Sequence, residues 1–229
     1  MTARLAKASA AFGRLYDNVW NRRGISLQTK LKIYRAVIIP TLLYGSETWT
    51  VYSRHAKKLN HFHTVSLRKI LNIKWQDKIP DTEVLTRADL PNIHSILMKT
   101  QLRWAGHVVR MPDNRLPKQL FYGEIQYGKR SHGGQKKRFK DSLKFSLKAF
   151  SIDCASWELL ALDRALWRSS ISNGSKSYVR KWKESAEEKR KARKARETLG
   201  IGSIPCPKCT RTFRASVGLR SHLRTHKST

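Results

Sequence analysis

Four residues near the C-terminal end of the chain have the types and the spacing of a metal site. Two residues separate Cys206 from Cys209, twelve separate Cys209 from His222, and three separate His222 from His226. Two thiolates on a tight turn and two imidazoles one helical turn apart can surround an ion tetrahedrally, which is the geometry of structural Zn²⁺ sites. We therefore predict one structural zinc ion with these four side chains as its ligands.

The same stretch predicts the element that positions the ligands. The i, i+4 spacing places His222 and His226 on one face of a helix. Phe213 and Leu219 fall between the ligand pairs, where a small ββα unit needs apolar cover for its metal. So short a segment cannot bury enough core without the ion. We expect a C2H2 zinc finger; the alternative is a metal-free tail that matches by chance.

The predicted finger lacks the side chains that usually recognise bases. In the usual docking mode, helix positions −1, 3 and 6 contact bases, and here they are Ala215, Gly218 and Ser221. None of these side chains can make a bidentate contact to a base edge. The finger therefore predicts phosphate contacts, with protein binding as an alternative. Its cations are Arg211, Arg214, Arg220 and Arg224.

Composition indicates the class of partner. The chain has 229 residues, a net charge of +31 and a pI near 10.7. The mutual repulsion of so many positive side chains favours a polyanionic partner. Nucleic acid, RNA or DNA, is the first candidate and an anionic membrane is the second. The apolar segment 36–45 is too short to span a bilayer. Three cysteines, with Cys154 unpaired, indicate an intracellular chain without disulfides.

The first residues lack a continuous apolar segment, so we expect no signal peptide. Residues 1–20 contain few acidic side chains and are compatible with a mitochondrial presequence, although an ordinary amphipathic helix has the same pattern.

Apolar periodicity predicts helices over most of the first two hundred residues. The predicted segments are 26–39 with Ser26 as cap, 55–73, 81–88, and one from Pro91 to Met111 that ends at the prolines and asparagine of 112–117. Asp153 is the expected cap of a further helix that carries Trp157 and Trp167 on one face. We interpret the apolar stripes as core.

A basic region follows the glycine-rich segment 123–135, which we expect to be an exposed loop. From Lys129 to Lys148 there are eight Lys or Arg residues against one acid, interleaved with aromatic rings. Cations beside aromatics suit a phosphate backbone with occasional base stacking; a solvated basic face is the alternative. The predicted nucleic-acid contacts here are Lys129, Arg130, Lys136, Lys137, Arg138 and Lys140.

Residues 178–199 consist mainly of residue types that favour helix, but their few apolar side chains do not form a continuous face. We therefore expect a helical arm that projects into solvent. Its segment 189–196 has the composition of a nuclear-import cluster, which predicts a nuclear location with shuttling to the cytoplasm left open. The same side chains can hold phosphates. They are Lys189, Arg190, Lys191, Arg193, Lys194 and Arg196.

Together these patterns predict a mainly α protein: an irregular helical domain, a long basic helical arm and a C-terminal ββα C2H2 zinc finger. The expected boundaries are 1–122 for a helical region, 123–177 for the basic loop and helices, 178–200 for the arm and 201–229 for the finger.

No catalytic constellation stands out. The chain has no HExxH, P-loop, nucleophile elbow or GxGxxG, and its sixteen acidic residues are scattered. His107 is the most suggestive single residue, but a histidine at a helix end next to Trp104 is also an ordinary structural feature. We predict no catalytic residue and no enzyme activity.

Four long segments resemble the region after the polymerase core in LINE-type, non-LTR retrotransposon reverse transcriptase polyproteins. They are ISLQTKLKIYRAVIIPTLLYGSETWT (25–50), LRKILNIKWQDKIPDTEVLTRADLPNI (67–93), LRWAGHVVRMPDNRLPKQLFYGEI (102–125) and GKRSHGGQKKRFKDSLK (128–144). A finger like that of Cys206, Cys209, His222 and His226 also occurs at this place in some members.

The resemblance implies a thumb-like helical segment followed by a nucleic-acid-binding tail. Polymerases of the family hold two metal ions on palm aspartates, usually in a Tyr-x-Asp-Asp turn, which this sequence lacks. We therefore expect a non-catalytic, zinc-containing fragment that grips RNA or DNA phosphates with little sequence specificity, and whose further partner is the rest of the polyprotein. The alternative is a domesticated zinc-finger regulator that binds specific DNA.

Overall fold

The computed structural model describes residues 1–123, 132–133, 137–199, 204–213 and 215–226, apart from the side chains of 196–199. The described chain is mainly helical with one small two-stranded sheet, as predicted. Its contacts divide it into two compact units, residues 1–180 and 181–229, and each unit is described by itself.

The described residues form eleven α-helices and two strands. The helices are α1 (Thr2–Arg14), α2 (Leu27–Ile33), α3 (Ile39–Leu43), α4 (Ser53–Ile70), α5 (Asp81–Arg87), α6 (Ile93–Val109), α7 (Leu116–Tyr122), α8 (Phe139–Ala149), α9 (Trp157–Leu162), α10 (Arg164–Leu199) and α11 (Ser216–Thr225). The strands are β1 (Ile204–Pro205) and β2 (Thr212–Phe213). Short π-helical segments occur at Tyr16–Trp20 and Tyr34–Ile38, and 3₁₀ turns at Ser46–Thr48 and Trp75–Asp77.

Helix α2 begins where its cap predicts. The Ser26 hydroxyl accepts a hydrogen bond from the Thr29 backbone N–H at 3.2 Å, which satisfies a donor that has no partner inside the helix. The helical path continues through the π segment into α3. Leu31, Tyr34 and Ile38 are buried along it, so these positions of the predicted apolar stripe are core, whereas Leu27 at its start is 42% exposed.

Helix α6 is the central helix of unit 1. The Asn92 side chain caps it by accepting from the Ser95 N–H at 2.8 Å. Ile93 and Leu97 pack in one core cluster with residues of α1, α3 and α4. Leu102 and Ala105 pack in a second cluster with residues of α8, α9 and α10. A helix with apolar residues on more than one face is buried between layers, and α6 joins the two clusters.

Glycine in α6 allows α10 to approach closely. A Cβ built at Gly106 would lie 2.0 Å from the Trp167 indole nitrogen, closer than any real carbon contact. The same indole N–H donates to the Leu102 carbonyl at 3.1 Å, which satisfies a buried donor. The tryptophan ring therefore occupies the space that any larger side chain at Gly106 would need.

Helix α6 ends at Val109, before the prolines, as predicted, but Pro117 has a further role that was not predicted. Pro117 does not only end the preceding helix; it lies in the first turn of α7, where its fixed φ and missing N–H are favourable. Helix α7 leaves Leu116 63% and Leu120 73% exposed.

Carboxylates mark the later helix starts. Asp141 accepts from the Arg138 N–H at 2.8 Å at the start of α8. Asp153 accepts from the Ser156 N–H at 3.0 Å; the cap residue of α9 is Ser156 and not Asp153, so the predicted cap lies three residues too early. Asp163 accepts from the Ala165 and Leu166 N–H groups, so a second helix begins there.

Trp157 and Trp167 are both buried, but they lie on two helices, α9 and α10, and not on one helix as predicted. Helix α10 begins at Arg164, well before the predicted start of the arm at residue 178.

Candidate metal centre

Two short strands and a helix bring the four predicted ligands together in unit 2. Strands β1 and β2 pair antiparallel, with Ile204 opposite Phe213. The Cys206 N–H donates to the Arg211 carbonyl at 2.8 Å, which closes the turn that carries both cysteines. His222 lies in α11 and His226 is its C-terminal cap residue.

The ligand atoms lie at the distances of a small coordination sphere. Cys209 Sγ is 3.1 Å from His222 Nε2, Cys206 Sγ is 3.7 Å from His226 Nε2, and the two Nε2 atoms are 3.0 Å apart. All four atoms lie within 4.8 Å of one another. Within the described part of the chain, this is the cluster of His, Cys, Asp or Glu side chains that can hold one metal ion.

A tetrahedral ion fits this cluster. With Zn–S bonds of about 2.3 Å and Zn–N bonds of about 2.0–2.1 Å, a regular tetrahedron has N–N edges of about 3.3 Å and S–N edges of about 3.6 Å. The observed N–N separation of 3.0 Å and S–N separations of 3.1 and 3.7 Å lie within about half an ångström of these edges. The donor set, two sulfurs and two imidazoles, is one that a borderline-soft divalent ion accepts.

The local electrostatics favour the ligand forms of these side chains. Burial raises the pKa of the Cys206 thiol, but hydrogen bonds from the Lys208 backbone and from Cys209 outweigh burial and hold the pKa below its ordinary value. The Lys208 N–H lies 3.5 Å from Cys206 Sγ. Loss of solvation, followed by the charges of His226 and Arg211, lowers the pKa of His222. Thiolate and neutral imidazole are the forms that bind metal.

The two predicted apolar positions lie at the cluster. The Phe213 ring is 4.8 Å from the His222 ring, tilted by 34°, and both Phe213 and Leu219 are half-buried. Gly218 faces the same ring, since a Cβ there would be 3.5 Å from Phe213. The phenylalanine therefore covers one side of an imidazole ligand.

The predicted phosphate contacts lie in three places. Arg211, Arg220 and Arg224 are exposed around the metal cluster. Lys189, Lys191, Arg193 and Lys194 are exposed on α10, and Arg190 is half-buried there. Lys137 and Arg138 are exposed just before α8, and Lys140 is half-buried in its first turn. The remaining predicted contacts, Lys129, Arg130, Lys136, Arg214 and the side chain of Arg196, lie outside the described residues, as does most of the predicted loop 123–135.

Lys137 also makes contacts within unit 1. Its backbone N–H donates to the Tyr52 hydroxyl at 3.2 Å, and its ammonium lies 5.8 Å from the centre of the Tyr52 ring. Lys137 is therefore held against the start of α4.

Sequence reasoning missed a cavity that α6, α7 and the start of α8 line together, with Trp104, Phe121 and Phe139 among its residues. The aromatic residues are visible in the sequence, but nothing in their spacing shows that three separate helices bring them together. His107, the most suggestive histidine, is exposed near the end of α6.

None of the described helices has the combination of length and apolar composition that crossing a membrane requires.

One known protein is similar in sequence to this chain. The chain is 24% identical over 149 residues to the uncharacterized transposon-derived protein F52C9.6 of Caenorhabditis elegans, and the match covers 62% of this chain and 53% of that protein. The chain thus spans about half the length of its curated relative. No family model matches the chain. No solved structure matches it at a significant level. The similarity supports a transposon-related origin.

Proposed function

We propose that this chain is a non-catalytic, zinc-containing, nucleic-acid-binding segment of a LINE-type, non-LTR retrotransposon polyprotein. It holds RNA or DNA by the phosphates and has little preference for sequence. The observation that carries the proposal is the four-ligand cluster in a chain of net charge +31 whose curated relative is transposon-derived.

Zinc is the ion that we assign to the cluster. Two thiolates and two imidazoles, with no fifth donor grouped with them among the residues that the structure describes, fit a closed, four-coordinate structural site, whereas catalytic sites keep one position open. Bound there, the ion supplies folding energy to a hairpin and helix that bury few side chains of their own. On this proposal residues 204–226 form a ββα zinc finger.

The finger grips phosphates and does not read bases. Helix α11 starts at Ser216, so Ala215, Gly218 and Ser221 occupy positions −1, 3 and 6. Their side chains are too short to reach base edges with paired hydrogen bonds. Arg211, Arg220 and Arg224 are exposed and supply phosphate contacts, which position a protein on nucleic acid without selecting a sequence.

The basic part of α10 adds affinity that one finger lacks. Its cations Lys189, Arg190, Lys191, Arg193 and Lys194 follow one another within less than two helical turns. Such a run neutralises several phosphates at once and releases their counterions. The same run fits nuclear import, and we propose that the protein acts in the nucleus.

The chemistry of DNA synthesis is assigned to other parts of the polyprotein. The polymerase of the resembled family depends on aspartates that hold two metal ions, and this sequence contains no Tyr-x-Asp-Asp turn. We expect no primer extension by the purified chain. Its role is to hold template RNA or target DNA near a polymerase that the rest of the polyprotein supplies.

Selection of bound sequences from a random duplex library tests the proposal against a sequence-specific regulator. The zinc-loaded chain should bind RNA and DNA of unrelated sequence with affinities that differ by less than about tenfold, because phosphate contacts are common to all of them. A strong consensus would support the regulator, and failure to bind either nucleic acid at low salt would overturn both assignments.

A further inference from the structure

An open cavity of about 680 Å³ lies between the end of α6, α7 and the start of α8 in unit 1. Its volume lies within the range of about 300–1,000 Å³ that is usual for small-molecule and cofactor sites. The lining is largely apolar and aromatic, and it includes Leu116 and Leu120, which are 63% and 73% exposed. Exposed apolar surface of this kind in a concave site indicates a ligand.

Three aromatic rings form one wall of the cavity. The Trp104 ring lies 6.0 Å from Phe121 and 5.5 Å from Phe139, and the two phenylalanine rings are 6.0 Å apart. The interplanar angles are 68°, 90° and 69°, so each pair meets edge to face. All three rings line the cavity and are only half-buried, so part of their surface is open for a further flat ring to pack against.

Two cations stand beside the aromatic wall. Arg138 and Lys140 line the cavity on either side of Phe139 in sequence, and none of the described lining residues is acidic. Asp141 is nearby, where it accepts from the Arg138 backbone N–H. A site that combines a flat apolar wall with two positive side chains fits a flat ring that carries an anionic group.

We propose that this cavity binds an unpaired nucleobase of a single-stranded nucleic acid. The base stacks on the wall of Trp104, Phe121 and Phe139, and Arg138 and Lys140 bind the flanking phosphates. This inference rests on the proposed nucleic-acid binding and assigns it a site. Stacking on aromatic side chains accepts any base, so the site is consistent with low sequence preference. Duplex bases are already stacked and paired, so the cavity confers a preference for single strands.

Binding of intact and abasic oligonucleotides isolates the base. The probe is a thymidine oligonucleotide of about twelve nucleotides, a length within the range that single-strand-binding sites cover, compared with an abasic strand of equal length and phosphate count. We expect the full-length chain to bind the intact strand about five- to tenfold more tightly at moderate salt. Equal affinity for the two strands would overturn the inference.

A pair of variants on one helix tests the wall. Phe139→Leu removes a ring from the cavity but keeps an apolar side chain, and should lower affinity for the intact strand about threefold while leaving the abasic strand unchanged. Phe145→Leu is the matched control, because Phe145 lies on the same helix, is 56% exposed and does not line this cavity. Equal effects of the two substitutions would contradict the assignment.

Photocrosslinking gives a result that does not depend on how well a variant folds. A 4-thiothymidine strand bound to the unaltered chain should crosslink to Trp104, Phe121 or Phe139, identified by mass spectrometry. Crosslinks confined to other segments would overturn the cavity assignment. If the chain binds no nucleic acid at all, the proposed function fails; if it binds intact and abasic strands alike, only the cavity inference fails.

Discussion

Cys206 is the residue on which the fold of the C-terminal hairpin and helix depends most directly. It is buried, and its backbone N–H also closes the hairpin turn onto Arg211. Removing one thiolate leaves three ligands, which lowers metal affinity sharply and removes the folding energy that binding supplies.

We predict that Cys206→Ser reduces bound zinc from one ion per chain to near zero at neutral pH, as measured by elemental analysis after dialysis. Cys154→Ser is the matched control, because Cys154 lies outside the cluster. Retention of one tightly bound zinc by Cys206→Ser would show that the four-ligand assignment is wrong.

His63 makes the stability of unit 1 depend on pH. The imidazole is buried in α4, with Nδ1 2.9 Å from the Tyr34 hydroxyl and Nε2 3.3 Å from the Pro91 carbonyl. A carbonyl can only accept, so the neutral ring donates from Nε2 and accepts from Tyr34 at Nδ1. Burial lowers the pKa of His63 to about 4, and burial raises the pKa of Tyr34.

The sign of the pH effect follows from this depressed pKa. As the pH falls, His63 binds a proton near pH 6.5 in the unfolded chain but only near pH 4 in the folded chain. Acid therefore favours the unfolded state. We predict that the free energy of unfolding falls by about 2–3 kcal/mol as the pH drops from 7 through 4. Urea denaturation of His63→Gln, which cannot ionise, should show a smaller loss over the same interval. An identical loss in both proteins would exclude His63 as its source.

At the scale of elements, the packing of α6 against α10 gives a prediction with a built-in control. Gly106→Ala places a methyl group where the Trp167 ring lies, and the cost of such overpacking is about 1–3 kcal/mol. Gly13→Ala on α1 meets nothing within 4 Å and should stabilise by up to about 1 kcal/mol, because alanine favours helix. Urea denaturation measures both, and a Gly106→Ala protein as stable as Gly13→Ala would contradict the packing.

The basic segment of α10 gives a second prediction at this scale. Changing Lys189, Arg190, Lys191, Arg193 and Lys194 to Gln should weaken DNA binding and make the slope of log affinity against log salt shallower by about three to four, because up to five phosphate contacts are lost. The control is an equal charge removal from exposed lysines on α1, α2 and α4: Lys7, Lys32, Lys57, Lys58 and Lys69. If the salt slope becomes shallower by the same amount in both variants, only the total charge of the chain matters. The basic segment of α10 would then not be a specific phosphate-binding surface.

Local signals in the sequence predicted the elements better than they predicted where elements meet. Ser26 and the ligand spacing are short-range features, and the structure follows both. Pro117 was ambiguous, because a proline suits the first turn of one helix as well as the end of another. The cavity was beyond prediction, since its three aromatic residues belong to α6, α7 and α8 and only tertiary packing brings them together.

At the scale of the whole molecule, positive charge is present in both units. Predicted phosphate contacts that the structure describes lie before and in the first turn of α8, on α10 and around the metal cluster. The net charge of +31 opposes compaction unless a polyanion neutralises it. On the proposed function, nucleic acid is that polyanion, and binding by the full chain should combine contributions from separate basic segments.

The salt dependence of binding by the zinc-loaded full chain tests the central claim most directly. We predict that log affinity for a DNA duplex of arbitrary sequence falls linearly with log salt, with a slope of about −5 or steeper, because each neutralised phosphate contributes about −0.9. A slope near zero, or no binding at low ionic strength, would contradict the account.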